Sequence, residues 1–216
     1  MKERILLNFD APWLEKGDKL VCFGDSLTSA KDDGYVKILE DNLRKLKIKV
    51  VNAGLGGDKT PTALARLRSD VIALKPDAVS IFLGVNDAAV GRSVWADEPR
   101  VEPAAYKNNL IWIVHICRLA GIKKFSITTP AWQFEGTSMA SYGNVLSQYC
   151  LAAREAADES GSRLVALDAA FAQEWLLHGG RAKSGLLLTR DGVHMTLAGN
   201  ELIASTMLDT WKIVLP

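Results

Sequence analysis

An α/β fold, with a parallel sheet covered by helices on both faces, is the architecture this chain predicts. Three observations carry it. Short apolar runs alternate with helical periodicity five times along the 216 residues, which is the pattern of repeated strand–helix units. The run Ala78 to Leu83 is almost wholly apolar, as a strand covered on both sides of a parallel sheet must be. Three of the runs end in polar turns containing glycine, namely Gly24-Asp25-Ser26, Gly54 to Gly57, and Gly84-Val85-Asn86-Asp87. In a parallel sheet those three ends share one edge, where open α/β sheets bind their ligands.

Taken in order, residues 1–18 read as a lead-in, with Pro12-Trp13-Leu14 as an apolar tag and Lys16-Gly17-Asp18 as a turn. Lys19–Phe23 is the first strand. Tyr35, Ile38, Leu39, Leu43 and Leu46 recur at helical spacing and predict a helix over 34–46. The β-branched run Ile48–Asn52 is the second strand. Thr60-Pro61 opens a helix whose apolar face is Leu64, Leu67, Val71, Ile72 and Leu74. After the third strand, Ala88 to Pro103 has no clear period, and loops of that length in a compact fold are often functional. A helix over Ala104–Ala120 ends at Gly121, a C-cap glycine. Phe125–Thr129 is the fourth strand, 131–138 is a second irregular stretch, and 141–160 is a helix closed by Gly161. Leu164–Leu167 is a short fifth strand, Phe171–Leu177 a short helix, and Leu197–Ile213 the last helix. No linker, internal repeat or low-complexity segment interrupts this order, so one domain over 1–216 is expected.

Composition narrows the function classes. Apolar residues make up 48% and charged residues 24%, which is ordinary for a globular protein. A net charge of +1 without basic runs speaks against a nucleic-acid partner. Cys22, Cys117 and Cys150 are an odd, widely spaced set, better suited to core thiols than to a disulfide framework or a structural metal. The first nineteen residues alternate charge with apolar residues and lack the apolar core of a secretory signal. The longest apolar stretch, Leu110 to Cys117, is too short to span a bilayer. No transmembrane segment and a cytoplasmic location are the resulting expectations.

Acyl-transfer chemistry would use the residues at the strand ends. A serine hydroxyl needs a base within hydrogen-bond reach, and His194 is the best placed of three histidines. An imidazole base needs an acceptor on its second nitrogen. Asp191 lies three residues earlier, with Gly192 between them to ease a tight turn. A tetrahedral intermediate needs preorganised N–H donors. Gly57 offers a backbone N–H with no Cβ in the way, Asn86 a carboxamide, and Ser26 its own N–H.

Four blocks in order carry a resemblance. Gly24-Asp25-Ser26-Leu27, Asn52 to Asp58, Gly84-Val85-Asn86-Asp87 and Asp191-Gly192-Val193-His194 resemble the sequence blocks of the GDSL, or SGNH, hydrolases, spaced over nearly the whole chain. The resemblance implies a flavodoxin-like three-layer α/β/α sandwich with a five-stranded parallel sheet. It implies Ser26 as nucleophile, His194 as base, Asp191 as its orienter, and an oxyanion hole from Ser26, Gly57 and Asn86. It implies no cofactor and a small-molecule carboxylic ester as substrate, with small acyl groups such as acetyl favoured by the modest loops. The chain lacks the G-x-S-x-G elbow of the common α/β-hydrolases. Acyl transfer to another alcohol, and a non-catalytic carbohydrate-binding relative, are the competing functions.

Other residues read structurally. Asp25 and Asp58 hold loop backbone, Asp87 is a turn or cap residue, and Gly54 and Gly56 serve loop geometry. His115 reads as a core histidine, and His178 as a cation at a helix C-terminus. Trp112, Trp175 and Trp211 read as core. Trp95, Trp132 and Phe134 lie on loops at the site edge, where lining a substrate pocket and anchoring a loop are equal readings.

Overall fold

The computed structural model describes residues 11–88, 99–131, 146–178 and 187–215. Trp95, Trp132 and Phe134 lie outside these residues, as do most of the lead-in, residues 141–145 of the expected fifth-strand-side helix, and Gly179-Gly180. The strands are β1 (Lys19–Gly24), β2 (Lys49–Gly54), β3 (Ala78–Phe82), β4 (Lys124–Thr128) and β5 (Arg163–Val165). The helices are α1 (Ser26–Ser29), α2 (Tyr35–Arg44), α3 (Thr60–Asp70), α4 (Pro103–Leu119), α5 (Leu146–Ser160), α6 (Leu167–Leu177) and α7 (Leu197–Thr210).

The strands form one five-stranded sheet in the order β2-β1-β3-β4-β5, and each neighbouring pair is parallel. Side chains alternate across it. Leu20 and Cys22 face a core shared with Tyr35, Leu39, Phe171, Ile203, Met207 and Trp211. Val21 and Phe23 face a second core with Leu67, Tyr106, Ile113, Tyr149 and Ala153. Helices α2, α6 and α7 therefore cover one side, and α3, α4 and α5 the other. The lead-in is tied down where Trp13 packs on Trp211, with ring centroids 4.8 Å apart, and donates its backbone N–H to the Trp211 carbonyl at 2.8 Å.

Several boundaries differ from the sequence expectation for identifiable reasons. Helix α3 stops at Asp70, and a 3-10 turn, Ile72–Leu74, follows it; Leu74 is exposed rather than buried. Strand β5 pairs through only three residues, Arg163 to Val165, and α6 begins at Leu167 rather than Phe171. Asp168 in the first turn of α6 takes both guanidinium arms of Arg154, at 2.8 and 2.9 Å, and the Thr129 hydroxyl at 2.8 Å. That long-range pairing favours a helix start which local periodicity does not reveal.

The tryptophan and histidine readings need correction. Trp211 is fully buried, but Trp112 is 54% exposed. The buried face of α4 is Tyr106, Leu110, Ile113, Val114 and Cys117, which leaves Trp112 and His115 on the solvent side. His115 is accordingly exposed, edge-on to Trp112 at 5.6 Å, and not a core histidine. Trp175 is partly buried. His178 sits at the end of α6, its Nδ1 3.0 Å from the Glu174 carbonyl. All three cysteines are free and buried, and burial pushes each thiol up to about 12.

Helix α1 is a single turn laid across the ends of β1 and β2. A Cβ on Gly54 would stand 2.2 Å from the Ser29 nitrogen, and one on Gly24 would stand 2.4 Å from the Phe82 carbonyl oxygen. Both contacts are with backbone, which cannot step aside as a flexible side chain could. Asn52 completes the seam: its amide donates to the Thr28 carbonyl at 2.7 Å, and its oxygen accepts the Gly54 N–H at 2.9 Å. Gly54→Ala is therefore expected to lower Tm by roughly 5 °C or more. A Cβ on Gly56 meets nothing within 4 Å, so Gly56→Ala is the control and should shift Tm far less in the same thermal scan. Equal shifts for the two variants would contradict this account.

Candidate active site

The site forms at the carboxyl edge of the sheet, where β1 lies between β2 and β3. This is the switch point of a doubly wound sheet, the place where the connections leave a crevice. Ser26 begins α1 directly after β1, and Asp25 caps that turn by accepting the Leu27 N–H at 2.9 Å. Ser26 is partly exposed at this rim.

His194 arrives from the loop before α7. That loop is closed by an antiparallel bridge between Thr189 and Met195 and by the Arg190 N–H donating to the His194 carbonyl at 2.7 Å. Gly192, at φ 93°, makes the turn between them. Asp191 Oδ1 accepts the backbone N–H groups of Val193 at 2.9 Å and His194 at 2.7 Å. Its Oδ2 is 2.8 Å from His194 Nδ1. Partial burial pushes the Asp191 carboxyl up, but hydrogen bonds from the His194 ring and the two N–H groups outweigh it and hold the group below the usual carboxylate range. Asp191 is thus ionised at neutral pH and accepts the hydrogen bond of the Nδ1–H group. Nε2 is left as the acceptor, 3.2 Å from Ser26 Oγ.

The structure therefore brings Ser26, His194 and Asp191 into one hydrogen-bonded line. It places Gly57 and Asn86 on the loops that flank Ser26. Neither the Ser26 N–H nor the Gly57 N–H has an acceptor among the described residues. Asn86 is buried, and its Nδ2 donates to the Asp58 carbonyl at 3.0 Å and to Asp25 Oδ2 at 3.3 Å. One carboxamide so ties together the loops after β1, β2 and β3. Asp87 performs a capping role across the gap: its carboxylate accepts the Thr60 N–H at 3.0 Å and the Thr60 hydroxyl at 2.5 Å at the start of α3.

Sequence reasoning missed Arg66. Its guanidinium lies 4.3 Å over the Phe23 ring. It donates to Asp58 Oδ2 at 2.7 Å, the Ala53 carbonyl at 2.9 Å and the Gly24 carbonyl at 2.8 Å. The Asp58 side chain has no solvent exposure and that of Arg66 is 12% exposed. Arg66 follows Ala63 by three positions, at the border of the buried face of α3. An arginine there is a signal, since a buried arginine requires partners.

Buried acids crowd this edge. Asp25 is pushed up to about 7, first by burial and further by the charges of Asp87 and Asp58. Burial raises Asp87 to about 6 against the Thr60 hydrogen bonds. Among the described residues no cluster of three His, Cys, Asp or Glu is placed to hold a metal ion. No helix among them is long and apolar enough to cross a membrane.

Two outcomes are expected. Arg66→Met leaves Asp58 charged and buried without its partner, so denaturant unfolding should show a loss of about 3–5 kcal/mol; a loss under about 1 kcal/mol would show that the clamp is not structural. Asp25 gives a pH signature. Below its ordinary value of 3.8 the carboxyl is neutral in folded and unfolded chains alike. From there to about 7 the folded chain keeps a proton that the unfolded chain has released, so rising pH disfavours folding. Asp25→Asn carries no such proton, and its Tm relative to wild type should climb as pH rises from about 4 to about 7. A constant difference over that range would exclude an ionisable, buried Asp25.

Comparison with known proteins agrees with this arrangement. Residues 22–202 match the GDSL-like Lipase/Acylhydrolase family. An acetylxylan esterase of Geobacillus stearothermophilus is 30% identical over 216 aligned positions, which cover 89% of this chain and 93% of that one. The crystal structure of LAE5, an alpha/beta hydrolase enzyme from the metagenome of Lake Arreo, superposes with a TM-score of 0.79 at 26% identity, covering 94% of this chain and 98% of that one. The structure of Axe2, the acetylxylan esterase from Geobacillus stearothermophilus, gives a TM-score of 0.76 at 27% identity, covering 93% and 96%. Solved catalytic mutants of Axe2 replace a serine, an aspartate and a histidine. With the family matching most of its length and the fold shared throughout, the chain belongs to the GDSL-like lipase/acylhydrolase, or SGNH hydrolase, family and is a carboxylic ester hydrolase.

Proposed function

We propose that this esterase removes small acyl groups, acetyl above all, from a hydroxylated substrate of the acetylated xylan type. Ser26 is the nucleophile, His194 the general base and acid, and Asp191 the residue that orients His194. The observation that carries the reading is the unbroken line from Ser26 Oγ through the imidazole to Asp191, at 3.2 and 2.8 Å. The longer first link suits a resting site, since such contacts tighten when substrate binds.

The steps follow from these positions. Ser26 Oγ attacks the ester carbonyl carbon while His194 Nε2 takes its proton. Negative charge develops on the carbonyl oxygen. The N–H groups of Ser26 and Gly57, which have no acceptor among the described residues, are available to it, together with an amide hydrogen of Asn86. The longer Asn86 contact, 3.3 Å to Asp25, is the one an oxyanion would replace. Removing one such donor typically costs about 2.7–4 kcal/mol of transition-state stabilisation. His194 returns the proton to the leaving alcohol. A water then gives its proton to His194 and attacks the acyl-serine, releasing the acid and restoring Ser26.

Hydrolysis is favoured over transfer to another alcohol because the His194 side chain is 53% exposed, so water reaches the base freely. A small acyl group is favoured by the likeness to an acetylxylan esterase. On p-nitrophenyl acetate, Ser26→Ala is expected to lose at least about 10,000-fold in kcat. A residual rate within tenfold of wild type would remove Ser26 from the mechanism. In a series from acetyl to octanoyl esters, kcat/KM should peak at acetyl; a maximum at long chains would overturn the small-acyl assignment while leaving the nucleophile in place.

A further inference from the structure

The cavity of about 210 Å³ that opens beside Ser26 and His194 has a lining that the hydrolytic steps do not use. Its apolar part is Leu27, Ala30 and Met195; its polar part is Asp33, Arg190 and Asn200. Gly57 and Asn86 do not line it, so it lies on the base side of the nucleophile and not on the oxyanion side. A base that protonates the leaving oxygen must face that oxygen. The alcohol half of the ester therefore occupies this cavity.

Its polar groups are held from three elements. Asp33 stands in the turn between α1 and α2 and pairs with the Arg190 guanidinium from the loop before α7. The backbone of Arg190 is hydrogen-bonded to His194 at 2.7 Å, so the pair keeps a fixed relation to the base. Both side chains are about half exposed, at 56% and 47%, and can be reached by a ligand. Asn200, on α7, is 2% exposed. Its oxygen accepts the Tyr35 N–H at 3.2 Å, which fixes the orientation of the amide. Its two amide hydrogens have no partner among the described residues, and the amide nitrogen is not sealed from solvent, as expected of a residue that lines the cavity.

We propose that Asp33, Arg190 and Asn200 form the leaving-alcohol subsite and that they select a sugar hydroxyl framework over a simple alkyl alcohol. The proposal rests on reading Ser26 and His194 as the acyl-transfer pair. A pyranose presents C–H groups on its face and hydroxyls on its edge, which matches an apolar floor rimmed by donors and an acceptor. The ion pair is neutral as a unit and so suits an uncharged polyol. An alkyl alcohol would cover these polar groups and give them no partners, the circumstance in which a polar site rejects an analogue most strongly.

The test compares one acyl group on two alcohols: acetylated methyl xyloside and p-nitrophenyl acetate, with wild type, Asp33→Asn, Arg190→Met and Ser26→Ala. In each of the two subsite variants KM for the xyloside should rise about tenfold, and the xyloside-to-nitrophenyl ratio of kcat/KM should fall about tenfold. Unacetylated methyl xyloside should inhibit wild-type hydrolysis of p-nitrophenyl acetate competitively, and each variant less. Ser26-dependent turnover with a ratio unchanged within twofold in both variants overturns the subsite alone, as does a wild type that accepts p-nitrophenyl acetate but not the xyloside. Turnover of either ester that survives in Ser26→Ala, or none by wild type on either, overturns the underlying reading and the subsite with it.

Discussion

A buried arginine holds this site together. The Arg66 guanidinium reaches the carbonyl that precedes Asp25-Ser26, the carbonyl near the end of β2, and the carboxylate of Asp58. The first two lie at the ends of neighbouring strands β1 and β2, and the third lies in the loop after β2. A parallel sheet sets the spacing of its strands but not the path of the chain beyond them. Five donors in one plane can fix that path where a lysine ammonium, a point charge on a flexible stem, cannot. Asn86 continues the bracing to the third loop, and Asp87 to the start of α3. The edge is thus a lattice of charge-assisted and amide hydrogen bonds, and Ser26 stands at its margin.

How much of this was legible in the residues depends on range. The strands were legible because each is an apolar run bounded by turn residues, and the parallel order followed from the intervening helices. The residues now seen at the carboxyl edge were legible because glycine-ended strands announce it. Asp191 and His194 were legible as a pair because their contact spans three positions. Arg66 was not, since its meaning lies in partners supplied by Gly24, Ala53 and Asp58. The early start of α6 was hidden for the same reason, in the pairing of Asp168 with Arg154. Trp112 and His115 were misread because an aromatic residue on a helix suggests core, whereas α4 had already filled its inner face with residues at helical spacing. Helix α1 is one turn long and too short to have a period.

The acids at this edge serve opposite ends. Asp191 is stabilised as a carboxylate by three N–H donors and can hold an imidazole in one tautomer. Asp25 and Asp87 are buried with other acids and are pushed towards neutrality. Carboxylates only a few residues from glycine turns are therefore shifted in opposite directions, because one accepts hydrogen bonds near solvent and the others are desolvated. Negative charge is kept beside the His194 ring and weakened beside Asn86.

The loop that carries Asp191 and His194 has a further consequence. Acid and imidazole are fixed to one another by a turn of four residues, locked by the Thr189–Met195 bridge, so their geometry is decided locally. Ser26 lies at the other end of the chain, 3.2 Å from His194 Nε2, and the Asp33–Arg190 and Tyr35–Asn200 pairs join the same two regions. The alignment of Ser26 with His194 therefore follows how the loop before α7 seats against α1. Under the mechanism proposed above, turnover is a ruler for that seating, whereas the Asp191–His194 pair is set within its own turn.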